Sequence, residues 1–171
     1  TGELRMTEGT SVSTDAGSLL VSVGGDATIT SISTQSGHIT LTVGGDAEVA
    51  SIRSTSGSLT LSTSGLSLLG AGLQVTQGAG EIQVQASRGL IMAAGSVIAT
   101  RTGQIKAIAL GDVAVSTIHS DSGQVQLGGR DITLRDRGVS VYSAQGAGDV
   151  TITATGELRM TEGTSVSTDA G

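Results

Sequence analysis

The chain has no cysteine, proline, phenylalanine, tryptophan or asparagine in 171 residues, and Tyr142 is its one aromatic side chain. Without cysteine there is neither a disulfide framework nor a thiolate metal site. A thiol-free chain also avoids premature cross-links if it crosses a membrane unfolded. Proline would delete ladder hydrogen bonds from interior strands, so its absence suits a sheet-rich fold. With a single aromatic ring the chain lacks the usual stacking platforms for bases and sugars. The missing asparagine removes glycosylation sequons, and no Asp-Gly dipeptide occurs. That combination suggests a protein adapted to persist outside the cell. No apolar run approaches the roughly 18 residues of a membrane-spanning helix, so membrane insertion is not expected.

Charge is sparse. Nine Lys and Arg stand against fifteen Asp and Glu, for a net charge of −6. This balance, with no basic stripe, argues against nucleic-acid binding. Arg130, Arg135 and Arg137 form one local basic cluster, but Asp131 and Asp136 interrupt it, as in a solvated ion-pair patch.

What the sequence has in abundance is repetition. Residues 1–17, TGELRMTEGTSVSTDAG, recur identically at 155–171, an offset of 154 residues. Residues 1–171 therefore read as a single solenoid segment: one 154-residue tandem period plus the first 17 residues of the next copy. Leaving out one copy of the overlap, with Glu3, Glu8, Asp15 and Arg5, takes the net charge from −6 to −4 per period. Summed along an array, that charge favours solubility and opposes side-by-side clumping.

A smaller period lies inside the large one. Gly17, Gly37, Gly57, Gly80, Gly103, Gly123, Gly148 and Gly171 open units of 20, 20, 23, 23, 20, 25 and 23 residues. Two places after the glycine stand Leu19, Ile39, Leu59, Ile82, Ile105, Val125 and Val150. Two further on stand Val21, Leu41, Leu61, Val84, Ala107, Leu127 and Ile152, with mostly polar residues between the columns. Period-two alternation marks a strand with one buried face. A second strand is expected at Ala27/Ile29, Ala47/Val49, Leu66/Leu68, Leu90/Met92, Val113/Val115, Ile132/Leu134 and Leu158/Met160. A third apolar column is expected five residues before the next glycine, at Ile32, Ile52, Val75, Ile98, Ile118 and Val166. The 25-residue unit breaks it, with Ser143 in that place and Val139/Val141 displaced upstream.

Seven such units predict an all-β fold, a parallel β-helix of about seven coils, each coil stacking its aliphatic residues on those of its neighbours. Right-handed winding is the default for parallel crossovers. A sandwich or propeller would draw on aromatic residues and other periods. The extra residues of the longer coils, around Gly78–Gly80 and Gly146–Gly148, are expected at corners.

The phrase G-x-[LIV]-x-[LIV]…G-G-D-A-x-[IV]…[IV]-x-[ST]-x-[ST]-G, clearest over residues 17–36, 37–56 and 103–122, resembles the repeat region of filamentous haemagglutinin-like exoproteins. The resemblance covers essentially the whole chain. It implies a right-handed β-helical shaft of a large bacterial surface or secreted adhesin, exported through the outer membrane by a partner transporter.

Candidate chemistry is thin. Asp26, Asp46, Asp112 and Asp131 recur in register after a glycine. Each carboxylate could close its corner on nearby backbone amides, or the column could share a Ca²⁺ ion. His38 and His119 fall in different columns and read as surface residues rather than zinc ligands. Acids scattered singly, with no basic partner in a groove, do not make a lyase or hydrolase site. No catalytic, cofactor or metal residue is therefore assigned, and no enzyme is expected. Thr28/Thr30, Thr40/Thr42, Thr60/Ser62 and Thr151/Thr153 suggest an outward grid of the kind that suits ice, but Gln83/Gln85, Lys106/Ile108 and Gln126/Gly128 interrupt it. The expected role is structural: a shaft repeat whose partners are adjacent identical repeats end to end, with a host or neighbouring cell contacted through regions elsewhere in the protein.

Overall fold

A computed structural model of the chain describes residues 2–141 and 148–168. Tyr142, Ser143, Gly146 and Gly171 lie outside the described residues. The chain winds as a parallel β-solenoid of about seven turns, with no helix among the described residues.

The first strand of each coil builds one seven-stranded sheet: β3 (Leu19–Val23), β6 (Ile39–Val43), β8 (Leu59–Thr63), β10 (Ile82–Ala86), β13 (Ile105–Ala109), β15 (Val125–Gly129) and β17 (Val150–Ala154). The remaining strands build a twelve-stranded sheet: β1 (Leu4–Arg5), β2 (Val12–Thr14), β4 (Ala27–Ile29), β5 (Ile32–Thr34), β7 (Ala47–Ser54), β9 (Leu66–Val75), β11 (Leu90–Met92), β12 (Val97–Thr100), β14 (Val113–Ser120), β16 (Ile132–Val141), β18 (Leu158–Met160) and β19 (Ser165–Thr168). In β7, β9, β14 and β16 the second and third strands of the coil run on as one strand. Pairing shifts register at Val49/Ser51 of β7 and at Val115/Thr117 of β14.

All pairing is parallel and joins equivalent positions of successive coils. Leu19, Ile39, Leu59, Ile82, Ile105, Val125 and Val150 align as one column. Ala27, Ala47, Leu66, Leu90, Val113, Ile132 and Leu158 align as another. These columns form one continuous core, in which Ile39, Leu41, Leu61, Val84, Leu90 and Leu127 are fully buried. Each aliphatic side chain stacks between its equivalents in the coils on either side, so burial repeats along the rod rather than converging on a centre.

Two expectations need correction. Val75 is not in the third column: Leu73 pairs with Ile52 on one side and Ile98 on the other. Counting back from the next glycine put all the extra length before the third strand. The structure divides it, part between Leu68 and Leu73, where Gly72 has φ +77°, and part after Val75, around Gly78 at φ +73°. In the 25-residue coil Val139 takes the third-column place, between Ile118 and Val166. The second correction concerns Thr28 and Thr30. Thr28 pairs with Arg5 and Glu48 on the twelve-stranded sheet, so this pair does not belong to the threonine rows of the other face.

Candidate functional site

The recurring polar side chains sit at the corners, and most of them reach one coil along the rod. The corner that ends four of the coils is built from an inward hydroxyl three residues before the next opening glycine. Ser54 Oγ accepts the Gly57 amide at 2.7 Å, and Ser120 Oγ accepts the Gly123 amide at 2.8 Å. Thr34 and Thr100 take the Gly37 and Gly103 amides at 3.1 and 3.3 Å. The same hydroxyls donate to the carbonyl of the glycine that opens their own coil, one turn back: Thr100 to Gly80 at 2.9 Å and Ser120 to Gly103 at 3.3 Å. All four are buried. Val75 occupies this place in the third coil, between Ser54 and Thr100, and interrupts the ladder. The opening glycine is required by close approach. A Cβ on Gly37 would run into the Gly17 carbonyl, and one on Gly123 into that of Gly103.

The aspartate column lies at the next corner. Asp26 Oδ1 accepts the Asp46 amide at 2.8 Å, and Asp131 Oδ1 accepts the Glu157 amide at 2.8 Å. These carboxylates therefore satisfy the next coil's backbone, not their own corner's. Asp46 pairs instead with Arg88, which reaches over Gly65 of the intervening coil. Asp112 accepts from Arg130 Nε and Nη2 at 3.0 and 2.7 Å. The hydrogen bond to Asp112 is the main reason the Arg130 guanidinium holds its proton even more strongly than usual, with the charges of Asp112 and Asp131 adding to it. Among the described residues no three His, Asp or Glu side chains are grouped to hold a metal ion.

Asp136 makes a polar contact that reaches across three coils. It is a non-glycine residue at positive φ, +55°. Its Oδ2 accepts from Ser116 Oγ at 2.6 Å and from the Gly95 amide at 3.3 Å, so one carboxylate ties three successive coils. The Ser116 hydroxyl, then the Gly95 amide, hold the Asp136 carboxyl below its ordinary value, against the opposing effect of partial desolvation. Arg135 of the same cluster donates to the Met92 carbonyl at 3.2 Å.

The histidines also serve the corners. His38 Nδ1 accepts the Ser58 amide at 3.1 Å, and His119 Nε2 lies 2.8 Å from Asp121 Oδ1. An open groove of about 810 Å³ runs past Arg88, Ile91, Leu110, Asp112, Arg130 and Arg135. Two of its three arginines are already paired with aspartates. The arrangement binds coil to coil, and among the described residues it brings together no nucleophile, base and oxyanion donor.

Sequence reasoning missed the hydroxyl ladder and the Asp136 clamp. The first had a signal: Thr34, Ser54, Thr100 and Ser120 share the inward parity of the apolar residue two before them. The second had none, since its partners lie 20 and 41 residues away. Comparison with protein-family models, curated proteins and solved structures finds no match to the chain.

Proposed function

We propose that this chain is a length of shaft from a very large, repetitive, extracellular protein, serving adhesion or a filament at a bacterial surface. The observation that carries the reading is the placement of the two identical 17-residue segments. In the first copy Leu4 pairs with Ala27 and Val12 with Ile32. In the second, Leu158 pairs with Ile132 and Val166 with Val139. The same residues thus use one edge at one end and the opposite edge at the other. Overlaying the copies continues the second- and third-strand columns in register. Each coil adds about 4.8 Å, so a period adds roughly 34 Å, and tens of copies would extend roughly a hundred nanometres. The function is reach: low charge, no cysteine and a shaft whose stability comes from neighbouring coils suit it. The likeness of the repeat phrase to haemagglutinin-like exoproteins supplies the cell-surface setting.

A second reading is a filament of separate chains stacked head to tail. It would use the same column-on-column contacts between coils. Long-read sequencing across the locus, with a denaturing gel of the native product, separates the two. Many in-frame copies and a product of hundreds of kilodaltons support the covalent shaft. A single copy in a short product supports the stacked filament.

A further inference from the structure

The identical segments 1–17 and 155–171 offer different backbone groups to their two neighbours. In the first copy the Leu4 and Met6 amides donate to the Asp26 and Thr28 carbonyls of the following coil, at 3.0 and 2.9 Å. In the second copy the Glu157 carbonyl accepts the Ile132 amide of the preceding coil, and the Thr161 amide donates to the Leu134 carbonyl, at 2.8 and 3.1 Å. Leu4 and Met6 correspond to Leu158 and Met160. The two sets of groups therefore alternate along one strand and do not compete. Side chains divide in the same way. Thr30 Oγ1 donates to the Met6 carbonyl from one side, and Thr161 Oγ1 donates to the Leu134 carbonyl on the other. A single copy of the segment can hold both neighbours at once.

We infer that the segment is exchangeable between chains: residues 155–171 of one chain seat on β4 and β5 of a second copy and displace that copy's own residues 1–16. The fit of the occupant is seen directly, because β1 and β2 already make these pairings with the same residues. Contacts on β4 and β5 are exchanged like for like. What exchange adds is the first strand of the coil: β17 of one chain comes beside β3 of the other, and Val150, Ile152 and Ala154 stack on Leu19, Val21 and Val23. These side chains are partly buried, whereas Ile39 and Leu41 one coil along are fully buried. The newly covered column and the freedom regained by the released segment drive the step.

Simple stacking achieves less. It sets residues 1–17 of the second copy beside 155–171 of the first, and that half-coil has no first strand. β17 and β3 then stay two strand spacings apart, with a gap between them in the seven-stranded sheet. Exchange closes the gap and keeps the 154-residue period, so the join is head to tail and open-ended. In an unbroken array both sides of the segment are covered, which confines exchange to free ends. The inference rests on the stacked-filament reading above and specifies how the stack is joined.

The chain has no thiol, so introduced cysteines report position alone. Ser13 faces Ser33 across the β2–β5 pairing, and Ser167 is the second copy's equivalent of Ser13. Exchange sets Ser167 of one chain against Ser33 of the next, whereas simple stacking sets it against Ser13. Within one chain Ser33 on β5 and Ser167 on β19 are six coils apart, about 29 Å, too far for a disulfide or a short bis-maleimide. Oxidation of Ser33→Cys/Ser167→Cys at rising concentration should give a ladder of covalent oligomers on a non-reducing gel, several-fold more than Ser13→Cys/Ser167→Cys gives. Ser13→Cys/Ser33→Cys, oxidised when dilute, locks residues 1–17 in their own seat. Light scattering should show that variant as a monomer until a reductant is added, and as growing oligomers afterwards. Linking at Ser13 in preference to Ser33 would overturn the exchange and leave the stacked filament standing. Assembly indifferent to the lock, or strict monomers at high concentration without it, would overturn the exchange as well.

Discussion

Ser54 Oγ and the Gly57 amide, 2.7 Å apart, form a buried bond that recurs almost coil by coil along one edge of the core. The hydroxyl satisfies a backbone donor that no strand partner takes. Replacing Ser54 with Ala strands that amide and should cost about 1–3 kcal/mol. Chemical denaturation of the variant against the parent measures it. A change within the noise would mean that water replaces the hydroxyl.

Glycine should prove essential for two different reasons. At Gly123 an added methyl meets the Gly103 carbonyl of the coil below. Gly123→Ala should therefore separate adjacent coils and cost roughly 1–3 kcal/mol or more. At Gly95 there is open space around the new methyl, but φ is +79°. Gly95→Ala should cost only the left-handed backbone penalty of about 1–2 kcal/mol. Gly95→Asn should recover part of that, since Asn tolerates the conformation; it should recover nothing at Gly123. Melting curves of the four variants test the distinction.

Leu41 is fully buried between Val21 and Leu61. Leu41→Ala should destabilise by about 2–5 kcal/mol through lost burial and a residual cavity. Leu41→Asp should be worse, because a carboxylate there has no partner. Thr40→Lys, one residue away on the outward side, should stay within about 0.5 kcal/mol. Comparable losses at positions 40 and 41 would contradict the alternation.

Asp136 predicts an acid-sensitive joint. Its carboxyl is held below the ordinary 3.8 in the folded chain. The folded state thus favours the ionised form, and the stabilisation is present above the ordinary value. It is lost as pH falls through the lowered folded value. Asp136→Asn keeps a residue suited to positive φ and removes the charge. Its melting temperature should lie below the parent's at neutral pH, and the gap should close in acid. A gap independent of pH would assign the effect to packing.

Stability should rise with copy number, because each added period contributes more nearest-neighbour interfaces. Tandems of one, two and three periods should melt at successively higher temperatures, with the largest step from one to two. Equal melting temperatures would indicate that each period folds as an isolated block.

The sequence was enough to place most of the fold. Alternation of side chains across a strand is local, so Leu19/Val21 through Val150/Ile152 declared an inward face without reference to anything distant. In-register repetition then supplied the stacking, since coils with the same pattern bury it best against one another. Parity also pointed inward at Thr34 and Ser54, although their polarity suggested otherwise. What the tertiary structure decided was where irregular length is absorbed and which corner side chains meet. Whether Leu73 or Val75 takes the third-column place depends on the partner coils, Ile52 and Ile98, because both residues have the same parity. Asp136 finds Ser116 and Gly95 only because stacking brings three corners together that lie some forty residues apart in the chain.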